Sequence, residues 1–172
     1  MNLPPKLGVT TDKNVDLSAF DCIVKQANHE LKKRGKLTLN FGTYEEMKAS
    51  LMTLELGDLE KAHQLCVEAN AWYIFLAEMK SIATKHYLDL EAEKKRIHSE
   101  ESQRANQSSK GASDAIADTQ PSVINAREAR NTLETLCEML DYHVKYLDKA
   151  YYISKATWEW AEKNKSNDSK NK

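Results

Sequence analysis

Apolar residues recur along the chain at helical spacing, with polar residues between them. Leu17, Phe20, Val24, Ala27 and Leu31 stand three and four residues apart, which is one face of an α-helix. Asp16 is placed as its N-cap. "KKRG" closes it, with cations in the last turn and Gly35 just beyond. "KLTLNF" then alternates apolar residues at Leu37, Leu39 and Phe41, the pattern of a short strand or an extended link. No second strand follows to pair with it, which favours the extended link, because a lone strand leaves its ladder groups unpaired. Thr43 and Glu46 have the spacing of a capping box for a second helix reaching about Leu56.

From Asp58, placed as an N-cap, neither glycine nor proline occurs until Gly111. Ala62, Ala69, Leu76, Ala83, Leu90 and Ile97 repeat every seven residues, accompanied by Leu65, Trp72, Met79 and Tyr87. Such a heptad predicts a helix to about Arg104, a rod of ~70 Å. "NQSSKGASDAIADTQP" reads as a polar loop, with Pro121 suited to the first turn of a return helix. That helix carries Ala126, Leu133, Leu140 and Leu147, with Ala129, Leu136, Val144, Tyr151 and Trp158 as companions, and reaches about Lys163.

The expected fold is all-α: a long antiparallel helical hairpin, coiled-coil-like, with two short N-terminal helices packed at its open end. Residues 1–15 read as a flexible arm, 16–57 as the N-terminal helical segment, and 58–164 as the hairpin with its loop at about 106–120. The polar tail 165–172 reads as disordered by composition. Reversal around residue 114 places Trp72 near Trp158, Leu76 near Ser154 and Ile97 near Leu133.

Charge narrows the functional classes. Charged residues make up 30 % of the chain, yet the net charge is only -1. A generally polybasic nucleic-acid binder is excluded, so any such contact needs a local patch. No apolar stretch approaches the ~20 residues of a membrane span. The N-terminus has no signal-peptide core. A cytoplasmic protein is expected. Cys22, Cys66 and Cys137 are isolated, which fits small buried apolar residues rather than a disulfide or zinc framework.

No catalytic constellation appears, so no enzyme and no cofactor is expected. Glu60 and His63 form a single ExxH, whereas a di-iron bundle needs a second one. His143 falls beside the inner stripe and reads as a hydrogen-bonded core or boundary residue. Two features remain. Lys94, Lys95 and Arg96 are approached by Arg104, Lys110, Arg127 and Arg130 on a folded-back hairpin, either as a phosphate-contacting stripe or as a solvated face paired with glutamates. The run Trp72, Tyr73, Ile74 and Phe75, with Trp158 and Trp160, is broader than one hairpin can cover. We assign Trp72, Tyr73, Phe75, Trp158 and Trp160 to a homo-oligomer interface.

The order of "LEKAHQLCVEANAWYIFLAEM", the charged "LDLEAEKKRI", a polar loop and "ARNTLETLCEMLDYHVKYLDKAYYISKATWEWAEK" resembles the UvsY-type recombination mediators of tailed phages, over about residues 59–163. The resemblance implies an oligomer that binds single-stranded DNA and loads a recombinase onto DNA covered by single-strand-binding protein. Where the family carries an Arg-Gly-Phe type signature, this chain has Tyr151-Tyr152-Ile153-Ser154-Lys155. The competing expectations are a helical protein–protein interaction module, such as a phage inhibitor or adaptor of a host protein, and a structural virion component.

Overall fold

A computed structural model of the chain describes residues 19–53 and 58–168, without the side chains of Glu45, Met52 and residues 165–168. The expectations placed on the N-terminal arm, Asp16, Leu17, Leu56 and Gly57 fall outside these residues. The described residues form five helices and no strand: α1 (Ala19–Lys33), α2 (Tyr44–Met52), α3 (Leu59–Ala105), α4 (Lys110–Asp118) and α5 (Pro121–Asp168). None is long and apolar enough to cross a membrane.

The helix signals act largely where expected. Asp58 caps α3 by accepting from the Lys61 amide at 3.0 Å. Pro121 opens α5. Gly35, at φ 64, ends α1 in the left-handed region that glycine tolerates. Three details differ. Thr43 stands at the N-cap of α2 with φ -92 and ψ 26 and makes no side-chain cap bond. A capping box needs extended backbone at that position, so Tyr44 and Met47, both buried, anchor α2 instead. The expected loop at 106–120 contains α4, whose N-cap Ser109 accepts from the Ala112 amide and whose Ser113 and Ala117 are buried. The helical signal of α5 also outlasts the polar tail's composition and runs to Asp168.

The chain forms two compact units. The first takes α2, α3 as far as Glu78, and α5 from Leu140. Its core joins Tyr44 to Trp72, with ring centroids 5.4 Å apart, and Trp72 to Phe75 at 5.5 Å. The second takes α1, α3 from Met79, α4, and α5 as far as Met139. In it α3 and α5 run antiparallel: Thr84 meets Cys137, Tyr87 meets Glu134, and Glu91 meets Arg130.

Within this second unit α1 lies beside the charged half of α3, where the following residues Arg34 and Lys36 reach Glu93 and Asp89 at 3.5 and 2.6 Å. Placing both N-terminal helices at the aromatic end is therefore corrected for α1. The link after it, 36–41, forms neither helix nor strand. Asn28 supplies the hydrogen bonds of a strand partner: its amide donates to the Leu39 carbonyl at 2.6 Å and accepts from the Leu39 N–H at 2.7 Å. Leu39 and Phe41 are buried, whereas Leu37 is exposed.

The heptads bury Ala62, Ala69, Leu76, Ala83 and Leu90 on α3, and Ala126, Leu133, Leu140 and Leu147 on α5. The companion stripe of α5 is corrected. It keeps a strict seven-residue step through Ala129, Leu136, His143, Ala150 and Thr157, all buried, while Val144, Tyr151 and Trp158 are only half-buried. Register is corrected too. Trp158 packs on His63, centroids 4.9 Å apart, roughly nine residues from its expected partner Trp72. The nine residues of α4 account for the offset. They fold back beside α3, with Ser102 on Asp114 at 2.7 Å and His98 3.5 Å from Asp118. The chain thus descends ~13 Å along α3 before α5 begins.

Candidate functional site

All seven cations assigned to nucleic-acid contact lie in the second unit. Three helices position them. Lys94 and Lys95 come from α3, at one end of a groove whose other wall is α4. Arg127 comes from α5, and Asp118 is the last residue of α4. Lys94, Lys95, His98, Asp118 and Arg127 line one concavity of about 340 Å³. Lys94 and Arg127, far apart in sequence, are thus brought together as a chain reversal requires.

All but Lys110 make ion pairs. Arg96 holds Glu100 at 2.6 Å and Arg104 holds Glu101 at 3.0 Å, each along its own helix. Arg127 donates to Asp118 at 2.5 Å. Lys94 and Lys95 lie 3.6 and 3.4 Å from Glu91, longer than a well-formed charged hydrogen bond. The two pairs exposed on both sides, Arg96 with Glu100 and Arg127 with Asp118, contribute ~0–1 kcal/mol each, so a phosphate can displace them.

Arg130 is held differently. It donates to Glu91 at 2.9 Å and also to Glu134, and its guanidinium lies over the Tyr87 ring, 5.2 Å from the centroid. Burial alone would raise the Glu91 carboxyl, but hydrogen bonds from Arg130 and Lys95 outweigh it and hold its pKa below the ordinary carboxylate value. Arg130 is a brace between α3 and α5 within the unit, with little reach left for a ligand.

A second concavity, of about 680 Å³, shares His98 with the first and continues along α3 and α4. Ser102, Gln103, Asn106, Gln107, Lys110 and Asp114 line it with hydroxyls, amides and charges, beside the His98 imidazole. Lys110 makes no ion pair among the described residues. Sequence reading passes over Asp118 because it treats that stretch as a loop, and a carboxylate in a loop has no assigned neighbours. The helical spacing of Asp114 and Asp118, facing Ser102 and His98, is the signal it leaves unused.

The five residues assigned to an oligomer interface lie in the first unit and divide sharply. Trp72 has no exposed surface, because Tyr44 and Phe75 enclose it. It is core, and its assignment to an interface is corrected. Phe75 is half-buried, against Phe41, and Trp158 half-buried against His63. Tyr73 and Trp160 are exposed. Trp160 belongs to an outward stripe on α5, at spacings of four and three, through Tyr142, Tyr146, Lys149, Ile153 and Ala156. Tyr142, Ile153 and Trp160 are 66, 63 and 56 % exposed, so three large apolar side chains share this face with Lys149.

Cys22 is exposed, Cys66 buried and Cys137 half-buried, so the apolar reading fails for Cys22. Among the described residues no group of His, Cys, Asp and Glu is arranged to hold a metal ion. No family model, curated protein or solved structure matches the chain.

Proposed function

We propose that the protein is a non-enzymatic mediator of the recombination kind: a long antiparallel helical hairpin that self-associates and holds single-stranded DNA by its backbone, assisting a recombinase to load. The observation that carries this reading is the convergence of Lys94, Lys95 and Arg127 on one concavity, in a chain whose net charge is only -1. Near-neutral proteins bind polyanions through such local patches. Weak partners at 3.4 and 3.6 Å leave both lysines available. Arg96, Arg104 and Lys110 extend the patch along α3 and α4, while Arg130 braces it. Anisotropy of a labelled single-stranded oligonucleotide over a salt series tests the proposal. Binding that weakens steeply with salt supports it, and no binding at low salt removes it.

A second reading rests on the outward stripe of α5. Tyr142, Ile153 and Trp160 leave three large apolar side chains open to solvent on one side of α5, as a helical interaction module would. Self-association through this face fits both readings. An adaptor that ignores nucleic acid fits only the second.

A further inference from the structure

We propose that the groove between α3 and α4 is a binding site for a phosphate ester with a polar body, and that Asp118 occupies the phosphate position until the ligand arrives. This deepens the nucleic-acid reading and rests on it for the choice of ligand. Three cations, Lys94, Lys95 and Arg127, line the concavity with one carboxylate, Asp118, while the two lysines lean on Glu91 at 3.6 and 3.4 Å. One oxygen of the Asp118 carboxylate gathers two partners: Arg127 Nη2 at 2.5 Å and His98 Nε2 at 3.5 Å. An anion is therefore already seated on Arg127, in the concavity that the two lysines also line. The side chains of Asp118 and Arg127 are 52 and 44 % exposed, so their pair contributes little to folding and yields readily to a competitor of higher charge. A phosphate offers more acceptor oxygens than a carboxylate, and Arg binds it through two parallel bonds.

The second concavity specifies what is attached. It begins at His98 and continues past Ser102, Gln103 and Gln107 to Lys110. Its hydroxyl and amide groups match the hydrogen-bonding edge of a sugar or base. Its one carboxylate, Asp114, accepts from the Ser102 hydroxyl at 2.7 Å and is thereby partly satisfied. A nucleoside monophosphate and one nucleotide of a single strand share this chemistry.

Calorimetric titration of the full chain with inorganic phosphate, thymidine, thymidine monophosphate and a short oligothymidylate tests the site. The monophosphate is expected to bind more tightly than phosphate, and thymidine alone not to bind. Asp118→Asn, which keeps the shape and removes the competing charge, is expected to raise monophosphate affinity several-fold. Lys95→Ala is expected to lower it several-fold, with helix content unchanged by circular dichroism in both variants. Unchanged or weakened affinity in Asp118→Asn overturns the inference, and so does monophosphate binding no better than phosphate. Strand binding that ignores Asp118→Asn overturns this site but leaves the nucleic-acid reading standing. Monophosphate binding by a chain that ignores oligothymidylate supports the site and removes that reading.

Discussion

Position 143 falls on a heptad step where an apolar residue is ordinary, yet it holds a histidine 4 % exposed. Its Nδ1 lies 2.8 Å from the Tyr44 hydroxyl, so the imidazole fixes α2 onto α5 in the first unit. Burial, with Lys48 nearby, pushes its pKa down to about 4. The unfolded chain takes up that proton near pH 6.5, whereas the folded one resists until about pH 4. Stability should therefore be full above pH 6.5 and fall as pH drops from there to about 4, by up to about 3 kcal/mol. Urea unfolding across that range checks it, and His143→Asn should flatten the slope. Leu140, one step before it on the inner face, has no exposed surface. Leu140→Ala should cost ~2–4 kcal/mol in the same assay. Both positions were legible in the sequence, Leu140 by its heptad and His143 as a residue beside the stripe. What sequence hid was the strict period beyond Leu136. Reading by size prefers Val144, Tyr151 and Trp158, but the core takes His143, Ala150 and Thr157, because a small or hydrogen-bonded side chain lets helices approach.

At the scale of elements, the termini of α3 and the start of α5 follow local chemistry and were readable from Asp58, Arg104 and Pro121. The element that escaped is α4. Its serines, alanines and aspartates read as a loop, yet alanine is the best helix former, and burial of Ser113 and Ala117 against the unit supplies what its short length lacks. Missing α4 also displaced the register, since a nine-residue return beside α3 moves every later pairing. Ser109→Ala removes its cap and should cost ~1 kcal/mol locally. Hydrogen exchange should speed up across residues 110–118 while the amides of α5 near Leu133 keep their protection. The Asn28 clamp on Leu39 was likewise illegible, because one side-chain amide replacing a strand's backbone bonds leaves no periodic trace. The alternation in "KLTLNF" pointed only to a strand or an extended link.

For the molecule as a whole, the assigned cations lie in the second unit and the outward aromatic stripe of α5 in the first. The sequence identified the cations, and of the stripe only Trp160, but could not sort the residues it assigned. It grouped Arg130 with the ligand cations and Trp72 with the interface, because helical spacing does not reveal which side chains a neighbouring helix covers. The exposed stripe predicts self-association that Ile153→Asp with Trp160→Ser abolishes in sedimentation at tens of micromolar, without loss of helix content. The central claim is that the second unit holds single-stranded DNA by its phosphates. Its most direct test compares the salt dependence of oligonucleotide binding by the wild-type chain and by the Lys94→Ala, Lys95→Ala, Arg127→Ala variant. Each phosphate-contacting cation adds ~0.7 to the slope of log affinity against log salt, so the variant should bind more weakly and with a slope shallower by about two units. Equal affinity and equal slope in the two proteins would contradict the account.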